Sequence, residues 1–178
     1  MLEKFLITNN NYEAILAKQE LLYKHNIRKI YLRDSALDLR ILERFLSLKD
    51  IEIFINFVES SKDFRRIHLK GSQLHLARIL KQNGTILSYS AHSMQEILEA
   101  FNLNIDYIFI SPIFAVRGKN APLGVEFLEQ IPQEIKDRIF ALGGINQNNI
   151  AIFEKLGIKG IAGIRIFSAI FDLNQKLS

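Results

Sequence analysis

The sequence predicts a closed (β/α)8 barrel, and two observations carry that expectation. Eight short apolar runs rich in Ile, Phe, Leu and Val alternate with stretches of helical period. No GxGxxG follows the first run, which removes the main reason to prefer an open doubly wound sheet. With 178 residues the chain is shorter than the roughly 250 typical of such barrels, so a trimmed barrel is expected.

The elements follow in order. The first strand is expected over 4–8, then a helix over 12–23 with Ile15, Leu16, Leu21 and Leu22 on its apolar side. Strands two, three and four are expected over 29–32, 52–57 and 66–69. Only residues 58–65 separate the last two, too few for a full helix, so the third unit reads as degenerate. Strand five falls at 85–89. The helix over 93–101 opens on Ser93 with Glu96 three residues on, a capping-box pattern. Strand six is expected at 107–110 and strand seven at 139–142. A helix over 146–156 follows, with Asn146 as N-cap and Gly157 just past its end. Strand eight at 160–163 leads into a last helix from about 165 to 176. No proline-rich linker or low-complexity tract divides the chain, so residues 1–178 read as a single domain.

Composition narrows the function classes. Hydrophobic residues make up 48% and charged residues 24%, an ordinary globular balance. The net charge of +4 is modest and its cations are scattered, which suits a small anionic ligand better than nucleic acid. There is no cysteine, so disulfides and thiolate chemistry are excluded. No signal-peptide core and no apolar run of about 18 residues stands out, so a cytoplasmic protein without a membrane partner is expected.

Barrel active sites lie at the C-terminal ends of the strands, and the notable residues gather there. "ALGGI" (141–145) and "GIAGIR" (160–165) end strands seven and eight with glycines, where backbone N–H groups can approach a phosphate. The same glycines would also serve tight turns. His92, in "YSAHSMQE", directly follows strand five, and imidazole is the side chain that exchanges protons near neutral pH. His25 and His75 read as solvated helix residues, and His68 as a satisfied barrel-interior one. In "SPIFAVRGKNAPLG" (111–124), Lys119 is long enough to reach an anion across the mouth. Arg33, after strand two, faces the same side.

"SAHS", "DYIFISPIFAVRGKNAPLG", "ALGGIN" and "GIAGI", in this order, resemble the thiamine phosphate synthase and TenI family. The resemblance covers nearly the whole chain, most specifically from Ser88 onward. It implies a (β/α)8 barrel that is usually a homodimer and takes a small thiazole phosphate ligand. The synthase branch couples a hydroxymethylpyrimidine pyrophosphate to a thiazole phosphate using Mg²⁺. This sequence departs from that branch at several positions. Tyr31, Arg33 and Ser35 stand in a Gln-x-Arg-x-Lys pattern, Phe57 replaces the aspartate after Asn56, and Gln73 replaces a second metal carboxylate. The synthase threonines are Val116 and Gly118. Asp34 or Glu59 could stand in for the lost acids.

The TenI branch lacks the metal acids and includes thiazole tautomerases, whose base matches His92. The resemblance therefore implies a cofactor-free tautomerase with His92 and Lys119 catalytic. Arg33, Asn56, Ser90, Gly143, Gly144, Gly163 and Ile164 would bind substrate. The alternatives are the Mg²⁺-dependent synthase and a non-catalytic binder of thiazole or thiamine phosphates.

Overall fold

Eight parallel strands pair in sequence order, and the eighth returns to the first. They are β1 (Glu3–Ile7), β2 (Ile27–Leu32), β3 (Glu52–Asn56), β4 (Arg66–Leu69), β5 (Ile86–Ala91), β6 (Tyr107–Ile110), β7 (Ile139–Leu142) and β8 (Gly160–Gly163). The structure is a computed structural model and describes residues 1–34, 36–59 and 64–171. The expected barrel is present, with four of the eight strands matching residue for residue. β5 runs later than expected because Ser90 and Ala91 stay in register with Phe109 and Ile110 of β6.

Short helices follow most of the strands. They are α1 (Tyr12–Ala17), α2 (Glu20–Lys24), α3 (Leu39–Leu46), α4 (Ala77–Gln82), α5 (Met94–Asn102), α6 (Val125–Glu129), α7 (Gln133–Lys136) and α8 (Ile150–Phe153). The helix expected over 12–23 is two pieces, since Lys18 leaves helical space at φ −124°, ψ 35°. Ser93 caps α5 as expected, its Oγ accepting from the Glu96 N–H at 3.2 Å. The helix expected over 146–156 contracts to α8 with Asn149, not Asn146, at its N-cap. The reason is local: the Asn146 side chain accepts from the Asn148 N–H at 2.9 Å and closes a turn instead. In place of the last helix, residues Arg165–Phe167 form a 3-10 turn, and the expected continuation past 171 lies outside the described residues. Residues 57–65 join β3 to β4, and among the described ones there is no α-helix.

Strand side chains alternate between the barrel interior and the helix layer. Facing inward are Phe5, Ile7, Tyr31, Phe54, Phe109, Phe140 and Ala162, a core separate from the larger one under the helices. Phe5 is the hub. Its ring lies 4.8 Å from Phe109, 5.1 Å from Phe54, 5.4 Å from Phe140 and 6.1 Å from Tyr107, mostly edge to face.

Above these rings, His68 stacks on Phe109 at 5.3 Å and sits 4.2 Å from Tyr31. Its Nδ1 pairs with Ser88 Oγ at 2.9 Å and its Nε2 with Ser90 Oγ at 3.1 Å, so the expectation of a satisfied interior histidine holds. Burial pushes its pKa down to about 3, with Lys70 adding to the effect. At the opposite end, the nearly buried Lys29 lies 2.8 Å from Glu3 and 3.0 Å from Glu52. Burial alone would lower its pKa, but the hydrogen bonds to Glu3 and Glu52 raise it.

The seam between β8 and β1 depends on Gly160. A Cβ there would lie 2.2 Å from the Glu3 carbonyl oxygen and 2.8 Å from the Phe140 ring. Gly160→Ala is expected to lower the unfolding free energy from urea titration by about 3 kcal/mol, and an unchanged midpoint would show that the seam relaxes.

The His68 environment predicts an acid slope. The unfolded chain binds a proton at this residue below about 6.5, whereas the folded one resists until about 3. Stability therefore falls with pH across that window, by about 1.4 kcal/mol per unit from this group. Urea titrations at pH 6 and pH 4 are expected to show this loss, and His68→Gln should flatten it.

Candidate active site

Two residues beyond the interior ring, each strand turns the same face to the C-terminal mouth. Arg33, Asn56, Lys70 and Ser90 follow Tyr31, Phe54, His68 and Ser88 at this spacing. Lys70 is extended, at φ −82° and ψ 165°, so the alternation of β4 carries into it. Tyr31 donates its hydroxyl hydrogen bond to Asn56 Oδ1, joining residues 25 apart in sequence. Burial drives the Tyr31 pKa up, and the Arg33 charge opposes this. The Arg33 N–H donates to Thr8 Oγ1 at 3.1 Å, and its guanidinium reaches Asn9 Oδ1 at 3.5 Å. Three residues expected in the site, Arg33, Asn56 and Ser90, are thus brought around the Tyr31–His68 floor. Ser35 lies outside the described residues.

His92 stands exposed on the rim just past β5. Its Nδ1 lies 2.7 Å from the Ser111 carbonyl oxygen, which can only accept, so Nδ1 carries the proton. In the neutral ring Nε2 then presents a lone pair. The Glu96 carboxylate accepts from the His92 backbone N–H at 2.5 Å and fixes the turn into α5.

The segment 111–124 is anchored at its base. The Ile113 N–H donates to the Leu142 carbonyl and the Phe114 N–H to the Gly143 carbonyl, both at 3.0 Å. Leu123 and Gly124 return to Pro112 and Ile113 at 2.8 and 3.1 Å. Lys119 sits on the exposed tip between these anchors, its N–H donating to the Val116 carbonyl. This packing explains the paired glycines. A Cβ on Gly143, at φ +99°, would meet the Pro112 Cα at 2.8 Å, and one on Gly144 would meet the Phe114 Cβ at 2.5 Å. The tight-turn role of these glycines is borne out. Among the described residues the backbone N–H groups of Gly144 and Ile164 donate to no protein acceptor.

The donor set does not fit Mg²⁺, which favours oxygen ligands that include carboxylates. Phe57 offers none, and its side chain packs on the core. The Gln73 amide is committed at both ends: Oε1 accepts from the Lys70 N–H at 3.0 Å and Nε2 donates to the Phe57 carbonyl at 3.3 Å. Asp34 accepts from the Tyr12 hydroxyl at 3.3 Å and the Ala36 N–H at 2.9 Å. No three His, Asp or Glu side chains, Glu59 included, group to hold a metal ion among the described residues. Sequence reasoning passed over Lys70 and the Gln73 bridge. The signal for Lys70 was its spacing of two from His68.

A polar cleft of about 500 Å³ lies at the opposite end of the barrel, lined by Lys81, Asp106, Arg138 and Lys159 among others. Its charges are used structurally, since Lys81 pairs with Asp106 at 2.8 Å and Lys159 with Glu3 at 3.0 Å. No helix among the described residues is long and apolar enough to cross a membrane.

Residues 58–167 match the TMP-TENI family model, described as thiamine monophosphate synthase. A thiamine-phosphate synthase of Chloroflexus aurantiacus is 33% identical over 144 residues, which are 79% of this chain and 67% of that protein. One from Prochlorococcus marinus is 35% identical over 102 residues, 55% of this chain but 30% of that protein. A thiamine phosphate pyrophosphorylase structure from Pyrococcus furiosus superposes with a TM-score of 0.72 at 22% identity, covering 96% of this chain and 87% of that one, and shows the shared fold. The chain thus spans about two thirds of the length of the first of these curated relatives and less than a third of the second.

The sequence similarities overturn the tautomerase expectation, because the two curated relatives carry the synthase name. That expectation leaned on the lost carboxylates. In the structure Gln73, at one of those positions, ties together the residues that follow β3 and β4. By the family match and the Chloroflexus likeness, the chain belongs to the thiamine monophosphate synthase (TMP-TENI) family.

Proposed function

We propose that this barrel is a thiamine-phosphate synthase, coupling a hydroxymethylpyrimidine pyrophosphate to a thiazole phosphate. The observation that carries the reading is a mouth with cations on separate loops, Arg33 and Lys119, above a neutral His68 floor, in a chain similar to synthases. In the coupling, the thiazole ring nitrogen forms a bond to the pyrimidine methylene carbon. The bond from that carbon to the pyrophosphate oxygen breaks, and its electron pair leaves with pyrophosphate. No proton need move. What the protein must supply is alignment and stabilisation of the departing charge.

The residues divide that work. Arg33 offers a planar two-pronged contact to the pyrophosphate, and Lys119 a mobile point charge. The open N–H groups at Gly144 and Ile164, on turns where Gly143 and Gly163 leave room, suit the thiazole phosphate. Ser90 and Asn56 offer hydrogen bonds to the pyrimidine. His92 Nε2 accepts from a substrate N–H rather than carrying out a proton transfer.

The test is to mix both substrates with the purified protein and follow thiamine phosphate and pyrophosphate together. Stoichiometric appearance of both is expected, and formation of neither overturns the reading. Lys119→Ala should lower kcat/KM by about a hundredfold with an unchanged far-UV spectrum, as removal of a charge-stabilising donor does. His92→Asn should cost less than about tenfold, the worth of one hydrogen bond. Loss of all turnover in His92→Asn would restore a proton-transfer role.

A further inference from the structure

We propose that Lys70 supplies positive charge opposite the substrate pyrophosphate, and that this chain binds pyrophosphate without a divalent cation. The inference rests on the synthase reading for the identity of its ligand.

Lys70 stands one residue past β4 and Arg33 one residue past β2, with β3 between them. Two strand spacings separate their backbones by about 10 Å, so a long side chain from each can converge above Asn56. Neither flanking position at the end of β3 or after β4 offers a carboxylate, being Phe57 and Gln73. The Lys70 side chain is exposed, and among the described residues its ammonium has no ion-pair partner. Its spacing of two from the inward-facing His68 puts it on the same face, and its charge adds to the lowering of the His68 pKa. Gln73 Oε1 holds the Lys70 backbone N–H, so the residue that fills a metal-carboxylate position also sets the lysine in place.

The physical logic is one of substitution. Pyrophosphate needs nearby positive charge, and a dication held by carboxylates is one source of it. An ammonium presented at the same edge is another, and it repels a dication from that edge.

The test is calorimetric titration of the full chain with inorganic pyrophosphate, in EDTA and in Mg²⁺, for the unmodified protein, Lys70→Gln and Lys70→Arg. Binding in EDTA is expected, weakened about tenfold by Lys70→Gln and kept within about threefold by Lys70→Arg. Mg²⁺, which itself competes for pyrophosphate, should not tighten it. Binding that occurs only with Mg²⁺, equal affinity in Lys70→Gln, or no binding in either buffer overturns the proposal. The coupling assay separates this from the synthase reading. Binding in EDTA without coupling keeps this inference and sinks that reading, whereas coupling that requires Mg²⁺ does the reverse.

Discussion

The packing of Phe5 against four other rings inside the barrel is the contact on which the rest of the structure depends. Phe54, Phe109 and Phe140 each come from a different strand, so Phe5 holds opposite walls at once. Burying each such ring is worth about 2–3 kcal/mol, and edge-to-face geometry adds about 1 kcal/mol per pair. More important is what a filled interior does to rotation. A strand cannot turn about its axis without driving a ring into its neighbours. The residues two positions further along are therefore held facing the mouth.

His68 and Tyr31 form the boundary between that apolar interior and the polar mouth. The imidazole is flanked by rings on its faces and by serine hydroxyls on its two nitrogens. Kept neutral by burial, it presents no charge of its own to a ligand above. Arg33 and Lys70 follow Tyr31 and His68 by two residues and stand exposed at that end of the barrel. The charges at the other end, around Lys29, are closed into ion pairs and leave the two ends chemically distinct.

One side chain links the residues that follow β3 and β4. The amide of Gln73 spans from the Phe57 carbonyl to the Lys70 N–H. That amide leaves no carboxylate oxygen at the position. By resemblance a missing metal acid points to the tautomerase branch, and the likeness to named synthases corrects that reading.

The sequence by itself determined the barrel and placed His68 in its interior. An apolar run is a local property of each strand, legible without knowing any partner. It also announced the glycines at 143 and 144, though not that Pro112 and Phe114 would crowd them. The four-to-eight-residue helices α3, α4, α6 and α7 went unseen, because one or two turns show little helical period and gain their stability from packing. The Asn149 cap was missed for a related reason, since two asparagines three apart compete for one turn. Only the tertiary structure decided which distant residues meet. Tyr31 finds Asn56, His92 finds the Ser111 carbonyl that sets its tautomer, and Gln73 finds Phe57. These contacts join different strands and depend on barrel register, a global quantity that no single stretch of sequence encodes.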